Sequence, residues 1–399
     1  MSIRSIYDQF NYGEPRPVAI RKFMKYMLSK GIRTEKHYLF LMGMAITYPP
    51  FLQKELPNEV PSFGDPGSDN LLVAGLNGGH NDLQAIPVGR LKAYNSSEVR
   101  AYLSKVKSYE HESTDISWRK NILHLSGGHS SSEITTLKNI LGNLEPIVTS
   151  HDLGGKVTKV VKTITTVEKV DISGFVNRGV GMISFFGHGA QSITDLDFGY
   201  ASDASRGYRN LNRYPLMYFN GCGVGNIFTS RSVHILSDDW LLAPDKGAIA
   251  IIANSYLSYV TPSAKHISEV YKSLFGSDKI KSIGHVLRDA NQSILNNNPN
   301  DYDRANMHQA ALQGDPALYL LRVDAPDYIV DPDEGVKLYS ESPTVPLKNS
   351  TKIRIGVAIK NGGKALKNVT IPLSLTLRYK NGTSRVLKET ISGMPYADT

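Results

Sequence analysis

The sequence predicts an α/β fold in which a mostly parallel sheet is flanked by helices and is followed by an all-β segment. Four short runs are largely apolar, at 121–126, 182–186, 216–219 and 248–253. Apolar residues recur at helical spacing in three longer segments, at 131–142, 263–275 and 282–296. Strands without polar alternation are typical of parallel sheets that helices cover on both faces. The sequence changes to period-two alternation after residue 326, which is typical of antiparallel strands.

These changes in pattern divide the 399 residues into three predicted units. Residues 1–118 form an N-terminal α/β subdomain, and residues 119–325 form the central subdomain with the alternating strands and helices. Residues 326–399 form the β domain. A chain of this length exceeds one ordinary core, which agrees with several units. The chain begins in an apparent folded domain and stops inside an apparent β domain, as an excised fragment would.

The N-terminal subdomain contains its own helices and strands. Pro17 begins a predicted helix, and Gly31 lies where a left-handed residue would end it. Short strands are predicted at 38–43 and 71–74. A second helix is predicted to follow an N-cap at Ser96 or Ser97, with Val99, Tyr102, Leu103 and Val106 on its buried side.

The β domain shows two alternating runs, at 352–359 and 369–379. Asn361-Gly362-Gly363 supplies a turn after the first run, and Lys380-Asn381-Gly382 supplies a hairpin turn after the second. This pattern predicts an Ig-like β-sandwich that is truncated at its end.

Composition and charge argue against several function classes. No apolar run reaches about 18 residues, so no transmembrane segment is expected. The first residues lack the apolar core of a secretory signal. The net charge of +8 is spread along the chain without a basic block, which argues against nucleic-acid binding. No metal or nucleotide motif occurs, so no cofactor is predicted.

Two predicted strands end in chemically active side chains. The strand at 182–186 leads into Gly187-His188-Gly189, and the strand at 216–219 leads into Gly221 and Cys222, the only cysteine. In open parallel sheets, ligands bind beyond the carboxyl ends of the strands. We therefore expect His188 and Cys222 to face the same cleft.

A thiolate nucleophile needs a nearby base, and an imidazole can accept the thiol proton and later protonate the leaving amine. The backbone N–H groups of Gly189 and Cys222 are the predicted donors to the oxyanion. Taken singly, His188 could be a turn residue and Cys222 a buried strand-end thiol. Together they favour a catalytic dyad.

At these residues the sequence resembles the gingipain family of cysteine peptidases, in the caspase-like clan. The matching motifs are FFGHG at 185–189 and MYFNGC at 217–222, and the resemblance extends over about 6–321. Further stretches that fit the family are 7–13, 86–91, 236–240, 245–250 and 314–318. The resemblance implies a caspase-like fold and peptide-bond cleavage through an acyl-enzyme on Cys222.

Within the family, the spacing and the following β domain are closer to the type IX secretion system sortase. That resemblance implies removal of C-terminal sorting domains from exported proteins, by hydrolysis or by transpeptidation to anionic lipopolysaccharide. It also implies a cell-surface or extracellular, outer-membrane-associated location and contacts with other secretion-system components. The family resemblance also leaves room for a structural calcium ion.

Further polar residues are weaker candidates. Asp69 matches a carboxylate-bearing loop of the family and could orient the imidazole, although an Asx turn explains it equally well. Asp195 and Asp197 could bind substrate or a cation, but a solvated loop is the favoured interpretation. Gly127-Gly128-His129 follows another strand end and could line the cleft through its backbone, but a strand-to-helix turn is the favoured interpretation. The alternative function is a non-catalytic caspase-like module that binds exported proteins or scaffolds a surface assembly.

Overall fold

The protein is described by a computed structural model that covers most of the chain. The described residues are 1–31, 36–48, 50–51, 59–111, 116–150, 153–229, 234–276, 280–320, 326–330, 333, 335–350, 352–361, 363 and 369–394. Gly362, part of one predicted turn, lies outside them.

Ten α-helices are assigned within these ranges. In chain order they are α1 (Ile3–Asn11), α2 (Pro17–Ser29), α3 (Ser96–Glu110), α4 (Ser131–Gly142), α5 (Glu145–Val148), α6 (Ser173–Arg178), α7 (Leu236–Leu242), α8 (Val260–Phe275), α9 (Ile283–Asn296) and α10 (Asp301–Gln309).

The described residues contain eighteen strands. Those of the first 320 residues are β1 (Leu39–Met42), β2 (Val88–Leu91), β3 (Asn121–Ser126), β4 (Lys156–Val161), β5 (Glu168–Lys169), β6 (Met182–Phe186), β7 (Gly189–Ala190), β8 (Ile193–Thr194), β9 (Leu196–Asp197), β10 (Leu216–Asn220), β11 (Ala250–Asn254) and β12 (Ala310–Gln313). The later ones are β13 (Tyr328–Val330), β14 (Val336–Ser340), β15 (Ile353–Val357), β16 (Ile359–Asn361), β17 (Val369–Arg378) and β18 (Ser384–Met394).

An eight-stranded sheet in the order β1-β2-β12-β11-β10-β6-β3-β4 forms the centre of the fold. The five strands from β11 to β4 run parallel to one another. β12 is antiparallel to β11, and β1 and β2 run parallel to β12. The predicted mainly parallel α/β sheet is therefore confirmed, and strands from both predicted subdomains belong to it.

Burial follows the apolar strands. Every residue of β6, β10 and β11 is buried, which places these strands at the centre of a core that runs from Leu91 to Leu320. A second, smaller core joins α1 and α2 to β1 and β2. A sheet that is buried on both faces needs apolar side chains packed against each face, and the helices provide them.

Local predictions differ from the structure at a few positions. The strand expected at 71–74 is wrong, because Asn70–Leu72 is a turn of 3₁₀-helix. Asn95 is the N-cap of α3, where its side chain accepts from two backbone amides of the first turn. Leu103, expected on the buried side of that helix, is 46% exposed.

The β domain consists of antiparallel strand pairs in its described part. β13 pairs with β16, β14 with β15, and β17 with β18, and each pair forms a separate two-stranded sheet. The antiparallel character agrees with the period-two pattern, and the Ig-like sandwich stays a prediction.

Candidate active site

The two strands that precede His188 and Cys222 are direct neighbours in the sheet. β6 and β10 are parallel, and Phe186 lies opposite Asn220 at their ends. His188 and Cys222 each follow this pair by two residues. The Gly187 N–H donates to the Asn220 carbonyl at 3.0 Å, so the strand pairing continues into the loops. The register therefore places both residues at neighbouring backbone positions on the carboxyl edge of the sheet.

Glycines allow the two loops to pack backbone against backbone. A Cβ atom on Gly221 would lie 3.2 Å from the backbone nitrogen of Gly189. A Cβ atom on Gly189 would lie 2.4 Å from Cγ2 of Val224, which is closer than packed atoms approach. The absence of side chains at Gly189 and Gly221 thus brings the histidine loop against the cysteine loop.

The loop that follows β11 holds the cysteine loop from its other side. The Cys222 side chain is half-buried, and its sulfur accepts a hydrogen bond from the Ser258 N–H at 3.4 Å. The Gly223 N–H donates to the Tyr256 carbonyl at 2.8 Å. Gly223 has a φ of +65°, a backbone conformation that favours glycine. These contacts fix the direction in which the cysteine leaves the strand.

The His188 imidazole contacts a carboxylate and a second imidazole. Its Nε2 lies 2.8 Å from Oε1 of Glu133. The ring stacks on the His129 ring, with centroids 3.8 Å apart and planes 10° from parallel. The His188 side chain is 41% exposed, so part of the ring faces solvent.

Glu133 reaches His188 from the first turn of α4. Its backbone N–H donates to the Ser130 hydroxyl, which caps the helix, and its Oε2 accepts from the His129 N–H at 2.6 Å. Burial alone would raise the pKa of the Glu133 carboxyl. The hydrogen bonds and positive charge of the two histidines outweigh that effect and lower the pKa below its ordinary value.

The carboxylate of Asp69 is bonded to an arginine. Its two carboxylate oxygens accept from Nε and Nη2 of Arg90 at 2.6 and 2.7 Å. Arg90 is fully buried and also donates to the carbonyls of Gly43 and Val60. Asp69 therefore holds Arg90 within the N-terminal subdomain, and the carboxylate that contacts the His188 ring is Glu133.

The two aspartates after His188 are held by protein groups. Asp195 is only 4% exposed, so its interpretation as a solvated-loop residue is wrong. Asp197 accepts from Nη2 of Arg206 at 2.6 Å and from the Gly199 N–H at 2.9 Å. Among the described residues, no group of three or more histidine, cysteine, aspartate or glutamate side chains is arranged to hold a metal ion.

The sequence alone did not connect the His129 ring or Glu133 with His188. His129 and Glu133 belong to the stretch GGHSSSE, which reads as a strand end followed by a capping motif. This capping motif directly follows an apolar strand and so places a carboxylate at the carboxyl edge of the sheet. It was the sequence signal from which Glu133 could have been predicted. No comparable signal marks Ser258, whose contribution to the site is a backbone N–H.

A search for membrane-spanning helices among the described residues finds none with sufficient length and apolar character. A search of curated proteins finds no match.

Solved structures share the fold. The Arg-specific cysteine proteinase gingipain R matches with a TM-score of 0.62 at 15% identity, over 93% of this chain and 87% of that one. The complex of the Porphyromonas gingivalis RgpB pro- and mature domains matches with a TM-score of 0.61 at 16% identity, over 93% and 89%. A structure described as a protease matches with a TM-score of 0.60 at 15% identity, over 94% and 87%.

At these identities the structural likeness establishes a gingipain-like, caspase-like fold. The sequence itself supplies the family, because the model of peptidase family C25 matches residues 1–321. That match spans most of the 399 residues. The chain therefore belongs to peptidase family C25, the gingipain family of cysteine peptidases.

Proposed function

We propose that the chain is a cysteine endopeptidase in which Cys222 is the nucleophile and His188 is the general base and acid. The observation that carries the proposal is the strand register, which pairs Phe186 with Asn220 and puts the two residues at adjacent loop positions. Membership of a cysteine peptidase family supports it. The imidazole is 41% exposed and the cysteine is half-buried, so neither residue is sealed within the core.

In the proposed reaction, Nδ1 of His188 takes the thiol proton, since Nε2 is engaged with Glu133. The sulfur attacks the scissile carbonyl carbon and forms a C–S bond. The tetrahedral intermediate collapses as the C–N bond breaks, and His188 protonates the leaving amine. Water then attacks the thioester carbon and gives one proton to His188. The C–S bond breaks, the acid leaves, and His188 returns the proton to the Cys222 sulfur. An amine in place of water would give a new amide bond, which is transpeptidation.

The proposed oxyanion donors are the backbone N–H groups of Gly189 and Cys222. The Gly189 nitrogen faces the Gly221 backbone, so the amide lies against the nucleophile loop. Donors that are fixed before the reaction stabilise the developing charge at no reorganisation cost. We assign the orienting carboxylate to Glu133, because its contact with His188 is direct.

Three variants test the catalytic assignment. Cys222→Ala and His188→Ala are expected to lower kcat on a fluorescein-labelled unfolded protein by at least about 10³-fold. His234→Ala is the matched control, because that histidine is 66% exposed and pairs with Asp239. Intact-mass spectrometry after brief iodoacetamide treatment would show fast alkylation of Cys222 in the native chain. A Cys222→Ala variant that still cleaves the substrate would overturn the proposal.

We further propose that the substrates are exported proteins with a C-terminal sorting domain, processed at the cell surface in type IX secretion. The resemblance to the sortase subgroup in motif spacing and in the following β domain supports this role. The partners would be other secretion components and, as acceptor, anionic lipopolysaccharide. Incubation of a sorting-domain fusion with and without an added amine, followed by mass spectrometry, separates the outcomes. Free acid alone indicates hydrolysis, an amine adduct indicates transpeptidation, and an uncut fusion contradicts the role.

A further inference from the structure

One buried carboxylate connects three strand ends beside the catalytic histidine. Asp195 lies between β8 and β9. The loops that it contacts follow β3, β4 and β6, which are consecutive in the sheet. Gly128 follows β3, Lys162 follows β4 and His188 follows β6. Asp195 is therefore placed where it can set the relative positions of these loops.

The contacts involve the backbone of His188 on both sides. Oδ1 of Asp195 accepts from the His188 N–H at 3.1 Å, and the Asp195 N–H donates to the His188 carbonyl at 2.9 Å. Oδ2 accepts from the Gly128 N–H at 2.6 Å and from Nζ of Lys162 at 3.1 Å. The same ammonium donates to the Gly128 carbonyl at 2.8 Å. The histidine is thus connected through one carboxylate to the loop that carries its stacking partner, His129.

Two glycines provide the space for this carboxylate. A Cβ atom on Gly127 would lie 2.2 Å from Oδ1 of Asp195, and a Cβ atom on Gly187 would lie 2.5 Å from the same oxygen. Any side chain at either position would displace the carboxylate. The Gly-Gly-His and Gly-His-Gly stretches at the two strand ends therefore accommodate Asp195 as well as the backbone turns.

Burial makes this arrangement costly unless it is fully compensated. The side chains of Asp195 and Lys162 are 3% and 0% exposed. A buried ion pair brings little net stability over apolar residues of the same size, whereas an unpaired buried charge is strongly destabilising. Stability alone is therefore a weak reason for the pair. The hydrogen bond of Asp195 to the His188 backbone points to a second role.

We infer that Asp195, charge-balanced by Lys162, is a positioning residue for the reaction proposed above. It fixes the backbone of His188 so that the imidazole meets Glu133 on one side and Cys222 on the other. Misplacement of a reacting group by about 1 Å can cost about 10²-fold in rate. The inference rests on the proposed function of His188 and adds a residue that acts through it.

Asp195→Asn and Asp195→Ala test the inference in the full chain. We expect kcat to fall by about 10-fold in the first variant and about 10²-fold in the second, with KM within about 2-fold of the native value. The iodoacetamide alkylation rate of Cys222, measured from pH 5 to 9, should fall at neutral pH in both variants. All assays are run well below the Tm of each variant.

The matched control is Asp197→Asn, since Asp197 ends the adjacent strand β9 and bonds to Arg206 instead of His188. A double variant, Asp195→Asn with Lys162→Met, removes both buried charges. It should recover Tm relative to Asp195→Asn, while kcat stays low. The inference would be overturned if Asp195→Asn and Asp195→Ala kept the native kcat and the native alkylation rate. It would also be overturned if their losses of kcat and alkylation rate equalled those of Asp197→Asn. Activity that survives Cys222→Ala would instead refute the proposed function, so the two failures are distinguishable.

Discussion

The carboxylate of Glu133 meets Nε2 of His188 at 2.8 Å because two neighbouring strands end beside each other. β3 pairs with β6 in parallel, with Ser126 opposite Phe186. The short turn after β3 leads into α4, whose first turn carries Glu133. A carboxylate at Nε2 favours the proton on that nitrogen and leaves Nδ1 free for the proposed role as the base.

Loss of the Glu133 charge should reduce catalysis more than stability. Glu133→Gln is expected to lower kcat by about 10²-fold, because the imidazole loses the partner that fixes its tautomer and direction. Steady-state kinetics on the labelled protein substrate provide the measurement. Glu145→Gln is the control, since Glu145 pairs with Lys159 on the surface. Equal kcat values for the two variants would remove Glu133 from the site.

Asp69 should matter for stability and little for the chemistry. Asp69→Ala leaves the fully buried Arg90 without its bidentate partner, and the free energy of unfolding is expected to fall by about 3–5 kcal/mol. The measurement is chemical denaturation, with kcat determined on the folded fraction. A large loss of kcat at native stability would instead restore Asp69 as the orienting residue.

Gly189 should tolerate no side chain. Gly189→Ala places a methyl group against Val224 and pushes the histidine loop away from the Gly221 backbone. We expect kcat to fall by about 10²-fold, because the proposed oxyanion amide moves with the loop. Gly142→Ala is the control, since a Cβ atom there meets no heavy atom within 4 Å. A fully active Gly189→Ala variant would contradict the assignment of this amide.

Two buried histidines should make the fold sensitive to acid. Burial lowers the pKa of His124 to about 4 and the pKa of His266 to about 4. The ordinary pKa of histidine is near 6.5, so below that pH the unfolded chain binds protons at these two residues and the folded chain does not. The free energy of unfolding therefore decreases as the pH falls from 6.5 towards 4. Each site can contribute up to about 3 kcal/mol over this range.

Denaturation of the native chain at pH 7.5, 6, 5 and 4 measures this loss. His266→Gln is expected to flatten the profile, whereas His234→Gln, at an exposed histidine, should leave its slope unchanged. A pH-independent free energy of unfolding between pH 7.5 and 4 would be incompatible with neutral buried imidazoles at these sites.

The sequence predicts five of the eight strands of the sheet, β1, β3, β6, β10 and β11, because these are short runs of mainly apolar residues. β2, β4 and β12 were not predicted, and β4 has a partly exposed, lysine-containing sequence without such a run. The segments predicted at 121–126 and 182–186 have the observed bounds of β3 and β6. The predicted strand at 71–74 failed because four consecutive apolar residues also suit a buried turn, and local periodicity cannot distinguish the two.

The sequence by itself determined that a histidine and the only cysteine follow two apolar strands, and that each of these two residues has glycine neighbours. It also predicted a peptidase of the gingipain family. It could not determine which of the 37 acidic residues would reach the histidine. Only the tertiary structure decided that Glu133 contacts the ring, that Asp195 is buried against its backbone and that Asp69 pairs with Arg90. The physical reason is that these contacts depend on the order of strands in the sheet, and residues far apart in sequence become neighbours only when that order is set.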